Sequence, residues 1–183
     1  MNKKMKILLY GANLWYLGEG MLGPFLAIFA QKIGGSILEI SWAWAIYLLV
    51  QGALSAFAGK YSDGKISKEK MMTAGYALNA IFTFGYLFVS SPVQLFFIQA
   101  GLGVAAAIST PTWNALYAKH EDRKHDGYIW GIACGEFEIV TGIAIIIGGL
   151  IVNYYSFAAL FVVMGIIQVV ATIYQAQIIE KDA

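Results

Sequence analysis

Six apolar stretches separated by short polar breaks organise the chain. They lie at about 7–31, 38–59, 71–90, 93–118, 128–152 and 156–179, each near or above the roughly 20 residues a helix needs to cross hydrocarbon. The breaks are Lys32-Ile33-Gly34-Gly35-Ser36, Lys60 to Lys70, Ser90-Ser91-Pro92, Lys119 to Asp126, and Asn153-Tyr154-Tyr155-Ser156. In lipid only helices or a closed barrel satisfy their own backbone, and these runs are too continuously apolar for the alternation of barrel strands. The pattern predicts an all-α, polytopic membrane protein: one six-transmembrane-helix bundle over residues 1–183. Lys3, Lys4 and Lys6 precede the first stretch as they would a signal peptide. That stretch contains Asn13 and Glu19, has no A-x-A site and continues to Ala30, so it reads as the first membrane helix.

Composition agrees. Hydrophobic residues make up 59% and charged residues 13% of the chain, against about 25% charged in soluble domains. This excludes a soluble enzyme, a disordered tail and a disulfide scaffold. A net charge of +1 offers no footprint for nucleic acid. The lone Cys134 closes no intrachain disulfide and reads as a small packing residue. All Lys and Arg except Lys32 fall at the N-terminus, in the 60–70 and 119–126 breaks, or at Lys181. By the positive-inside rule these lie on the cytoplasmic side of the inner membrane, with both termini.

The few polar residues share helix faces. Trp15, Tyr16, Glu19 and Gly23 form one face of the first stretch, and Trp44, Tyr47, Gln51 and Ser55 one of the second. Gln99, Gly103, Thr110, Trp113, Asn114 and Tyr117 fall within about 100° of arc on the fourth. Gly127, Gly131, Gly135, Glu138, Gly142 and Gly149 make a stripe on the fifth. Small residues let helices approach closely, so that stripe is expected to pack within the bundle. The third stretch (Asn79, Thr83) and the sixth (Gln168, Gln175, Gln177) carry no charge and read as lipid-facing. A carboxylate in mid-membrane costs roughly 2.5–3.5 kcal/mol on insertion scales. Glu19 is therefore expected to face a cavity, with a structural bond to Gln51 or Asn114 as the alternative. Glu138, on the glycine face, is the second cavity candidate. Glu136, opposite, reads as a headgroup-level or partner-contacting residue.

The break Gly59-Lys60-Tyr61-Ser62-Asp63-Gly64-Lys65-Ile66-Ser67-Lys68 resembles the G-x-x-x-D-R/K-x-G-R/K-R/K signature of the major facilitator superfamily, at the same place between the second and third helices. Gly59, Asp63 and Lys68 match. Gly23-Pro24-Phe25 with Gly34-Gly35-Ser36 resembles the family's first helix and outer loop, and Gly101-Leu102-Gly103 with Pro111 its fourth helix. Phe97 stands where the family has an arginine. Ala144 and Ile145 replace the Gly-Pro of its antiporter motif ahead of Gly148-Gly149.

The resemblance covers the N-terminal half of a twelve-helix fold. It implies that the first, second, fourth and fifth helices line a substrate cavity and that Asp63 gates it. It implies a secondary active transporter, or half of one, moving a small solute by alternating access, with protons as a candidate coupling ion. The candidate substrate- or proton-binding residues are Glu19, Trp15, Tyr16, Gln51, Gln99, Trp113, Asn114 and Glu138. The aromatic residues beside a carboxylate suit an organic cation. A second identical copy, or a separate six-helix partner, would rebuild the full cavity, because the family's halves are parallel repeats. The alternatives are a truncated twelve-helix transporter and a non-transporting membrane scaffold. No enzyme, cofactor or metal is expected: the histidines, His120 and His125, lie in a charged loop rather than a membrane site.

Overall fold

The computed structural model describes residues 3–64, 66–121 and 124–179. Lys65, Arg123 and Lys181, which enter the orientation argument, lie outside them. Among the described residues the protein is all helical: α1 Lys3–Gly20, α2 Phe25–Lys32, α3 Ile37–Ser62, α4 Lys68–Gly85, a 3₁₀ turn Tyr86–Phe88, α5 Pro92–His120, α6 Asp126–Tyr154 and α7 Phe157–Ala176. Of these, α3, α5, α6 and α7 are long and apolar enough to cross a membrane.

The polar breaks supply the caps. Ser36, Ser67, Ser91 and Ser156 each sit at a helix N-cap, and their side chains accept from Glu39, Lys70, Gln94 and Ala159 backbone N–H. Each satisfies a donor that the first turn leaves without an intrahelical partner. The Ser36 cap is reciprocal, because Glu39 accepts from the Ser36 backbone N–H at 2.8 Å.

The first stretch is not one helix. α1 ends at Gly20 and α2 begins at Phe25. Pro24 has no N–H to continue the ladder, and its ring crowds the preceding turn. The chain re-enters through bonds from Phe25 and Leu26 N–H to the Leu22 carbonyl.

Around the bundle the order is α3, α5, α4, α7, α1, α6. Residue pairs fix the directions. Phe82 meets Gly101 and Ile98 meets Gly85, so α4 and α5 are antiparallel. Gln175 seats on Gly11 and Gln168 on Gly18, so α1 and α7 are antiparallel. Asn13 pairs with Glu136 and Gly20 meets Thr141 and Ala144, so α1 and α6 are parallel.

The two glutamines of α7 correct the sequence expectation. Gln168 and Gln175 are fully buried against α1, and Asn79 and Thr83 of α4 are buried as well. The Gln168 amide donates to the Trp15 carbonyl at 3.1 Å. Lipid is left to the other face of α7, where Val162, Ile166, Val169 and Ile173 are exposed. Thus α4 and α7 are two-faced rather than simply lipid-facing, because an uncharged amide crosses the membrane only when another helix receives it.

The glycine stripe of α6 is a second correction. Gly127, Gly131, Gly135 and Gly142 have nothing within 4 Å of where a Cβ would stand; only Gly149 packs, against Phe25. The close helix contacts lie elsewhere. A Cβ on Gly75 would stand 2.8 Å from Ser109 Cβ, and one on Gly103 2.7 Å from the Tyr47 carbonyl. Gly75→Val and Gly103→Val are each expected to destabilise the protein by about 1–3 kcal/mol through overpacking. Gly131→Val should stay within about 0.5 kcal/mol of the parent. Thermal unfolding in detergent measures all three.

Candidate functional site

Between α1, α3, α5 and α6 lies an open cavity of about 420 Å³. The sequence-predicted residues Trp15, Tyr16, Glu19, Gln51, Gln99 and Glu138 all line it. Trp44 and Tyr47 of α3, Thr110 of α5 and Thr141 of α6 complete the wall, with Tyr86 and Met164 closing the far side. The α1–α2 break opens onto this space, since Gly20 and Gly23 also line it. Each helix contributes one narrow face, as the polar stripes on the first, second, fourth and fifth stretches require.

A second compartment of about 290 Å³ adjoins the first and shares Trp15, Tyr16 and Thr110 with it. Here Trp113 and Asn114 are found, with Tyr76, Trp130, Phe137 and Cys134. Its walls are aromatic rings braced on one another. Tyr16 stacks on Phe137 at 4.5 Å and Trp15 tilts against Tyr76 at 4.6 Å. Trp113 stacks on Tyr117 at 4.7 Å, and its indole N–H donates to the Leu8 carbonyl at 3.0 Å. A satisfied indole leaves Trp113 as rigid wall rather than as a free hydrogen-bond donor. Cys134, expected to be a packing residue, is exposed and faces this chamber.

The charge distribution is one-sided. Glu19 and Glu138 face the larger compartment, and among the described residues no Lys or Arg lines either one. A carboxylate in such a space is completed by a proton or a cation, and the surrounding rings present their negative faces to the same kind of guest.

Neither of the two partners considered for Glu19 holds it. Asn79 of α4 donates from Nδ2 to Glu19 Oε1 at 2.8 Å. The available signal was the spacing of Tyr76, Asn79, Thr83 and Tyr86, which places four polar side chains on one helix face. Glu136 is also partnered inside the chain, accepting from Asn13 Nδ2 at 2.8 Å, which explains a carboxylate on the side away from the cavity.

The loop residues lie apart from the cavity. Asp63 caps α3 and forms a 2.8 Å ion pair with Lys68, whose ammonium also donates to the Ser62 carbonyl at 2.9 Å. With the Asp63 side chain 77% exposed, this pair adds little stability. Gly59 has open space around it.

The sequence profile of the Major Facilitator Superfamily matches residues 8–178. An uncharacterised MFS-type transporter of Methanocaldococcus jannaschii is 26% identical over 157 residues, covering 86% of this chain and 40% of the relative. The quinolone resistance protein NorA of Staphylococcus aureus is 25% identical over 147 residues, covering 78% of this chain and 38% of its own length. The chain therefore spans about two fifths of the curated relatives it matches.

The open chamber has a direct check. Cys134 should react readily with a small maleimide in detergent, and a bulky aromatic cation occupying the chamber should slow that reaction at least threefold. Mass spectrometry of the labelled peptide reads both.

Proposed function

The chain belongs to the Major Facilitator Superfamily, a family of membrane transporters, and we propose that it forms one six-crossing half of a secondary active transporter working by alternating access. In this reading α1 and α2 together make the first crossing, and α3 to α7 make the other five. The helix directions support it, since α1 runs parallel to α6 and opposite to α7, as alternating crossings demand. Both termini and the loops carrying Lys60–Lys70 and Lys119–Asp126 then face the cytoplasm, and the protein resides in the inner membrane.

The observation that carries the proposal is a cavity lined by α1, α3, α5 and α6 and open between α3 and α6, the two ends of the helix order. The helices framing its opening, α3 and α6, are the least buried of the bundle. α3 buries only Ala43, Ala58 and Ser62, and α6 only Ala133, Ala144 and Gly148. On α6 the bare glycines share the helix face of Glu138, which lines the cavity. A second six-helix body across this opening encloses Glu19, Glu138 and the aromatic chamber. That body is the remainder of a longer chain, as the length of the relatives suggests, or a second copy, or a separate partner. Asp63 at the cytoplasmic end of α3 and Lys68 at the start of α4 then serve as the gate between the two bodies.

The guest that suits these walls is an organic solute with a flat apolar body and a cationic group. Glu19 and Glu138 receive the charge, and the rings around Trp15, Tyr16 and Trp113 receive the body. That the name of one relative concerns quinolone resistance, and quinolones are aromatic, agrees with the shape of the chamber.

Glu19→Gln keeps shape and most hydrogen bonding but cannot ionise. In proteoliposomes of the complete transporter it should insert normally yet lower uptake of a lipophilic cation such as tetraphenylphosphonium at least tenfold. Unchanged uptake and unchanged pH dependence would make Glu19 a structural carboxyl only. For topology, single cysteines placed at Lys60 and Lys119 in a Cys134→Ala background should label from the cytoplasmic side alone. Labelling from outside would overturn the orientation.

A further inference from the structure

The wall behind Glu19 belongs to α4, a helix whose family counterpart is expected to face lipid. Asn79 there is 1% exposed, and its amide donates to Glu19 Oε1 at 2.8 Å. One turn along, Thr83 is fully buried with its hydroxyl oxygen unpartnered. Such polar groups are costly in the middle of an apolar helix unless they are used.

The chemical type of the partner matters. A lysine at this position would pair with Glu19 only as a carboxylate. A leucine would leave a charged Glu19 without a donor. An amide carries a donor and an acceptor at opposite ends of one short group, and turning it over exchanges them. Its N–H serves the carboxylate, and its C=O serves the O–H of the carboxylic acid. Glu19 thus keeps a hydrogen bond on the α4 side whether it carries a proton, a cation or neither.

We propose that Asn79 is a positioning residue of the transport site, holding the Glu19 carboxyl against α4 in both its charged and its neutral form so that proton and guest exchange without stranding a buried polar atom. The inference rests on the reading of Glu19 as the exchanging group. It also gives α4 a place in the cycle, because a change of state at Glu19 reverses the bond it makes to this helix.

The other titratable groups facing Glu19 across the cavity are Tyr16 of α1, Tyr47 of α3, Tyr86 of the 3₁₀ turn and Glu138 of α6. α5 and α7 face it with Gln99, Thr110 and Met164, none of which titrates. Tyr76 of α4 lies in the adjoining chamber. The test therefore follows Glu19 itself rather than a whole-protein signal.

N,N′-dicyclohexylcarbodiimide enters membranes and modifies carboxylic acids. The complete protein, in lipid nanodiscs, is treated over a series of pH values, and adducts on the peptides carrying Glu19, Glu136 and Glu138 are quantified by mass spectrometry. The bond from the amide N–H to the carboxylate is charge-assisted and the stronger of the two, so in Asn79→Leu the extent of Glu19 modification at neutral pH should rise at least fivefold and its pH profile should move up by a unit or more. Glu136 and Glu138 should be unaffected. Asn79→Gln, which retains the amide, should stay close to the parent. If Asn79→Leu does not fold, Asn79→Asp, of the same size but unable to donate when ionised, must move the Glu19 profile instead. A Glu19 profile identical in the parent and in whichever of these two variants folds would overturn the proposal. So would a shift of all three glutamates together, which is the mark of a general loosening. This readout does not require transport, so a failure of the proposed function, seen as unchanged tetraphenylphosphonium uptake in Glu19→Gln, is told apart from a failure of the Asn79 role.

Discussion

Hydrocarbon offers no hydrogen bonds, so each polar side chain carried into it must find a partner on another helix or face a cavity. Four amide side chains of this bundle follow that constraint, while Thr83 Oγ1 is buried without a partner. Gln168 of α7 donates to the α1 backbone over Gly18, and Gln175 seats over Gly11. Asn13 reaches Glu136 of α6, and Asn79 of α4 reaches Glu19. These bonds join α1 to three neighbours. The broken first stretch is thus the axis on which α4, α6 and α7 are arranged, with α3 joined through α5.

The cavity is what remains once those demands are met. Two carboxylates, Glu19 and Glu138, face it, and among the described residues no Lys or Arg lines it. Its aromatic walls are rigid because the rings brace one another, as in the Trp113–Tyr117–Trp130 group. Rigid apolar walls with a few directed polar groups are the usual form of a small-molecule site. Placing them beside a discontinuous helix concentrates the irregular backbone where it lines the cavity rather than where it meets lipid, as the membrane requires.

Much of this is legible in the primary structure. The apolar stretches mark where the long helices lie, although the first of them holds two helices, α1 and α2, and serines in the breaks are caps. Glu19, Trp15, Tyr16, Gln51, Gln99 and Glu138 can be placed on one cavity because charged and polar residues in an apolar helix stand out. Asn79, Gln168 and Gln175 are harder to place. Their spacing puts each on one helix face, but in a helix that also carries a lipid face it does not say which helix receives the amide. Pro24 marks the break between α1 and α2, yet an apolar run on both sides masks it. The stripe of Gly127, Gly131, Gly135 and Gly142 announces a close approach but not the body that makes it, and among the described residues there is none.

That missing body is the centre of the functional reading, and the mass of the particle carrying this sequence in its native membrane addresses it most directly. Native mass spectrometry from extracted membranes should show a six-helix companion to this 20.0 kDa segment, as a second copy, a second chain or a continuation of the same one. Cysteines placed at Gly131 and Gly135 should then be shielded from labelling. A particle containing this segment alone, with both positions open to reagents and a lipophilic cation still carried in a Glu19-dependent way, would contradict it.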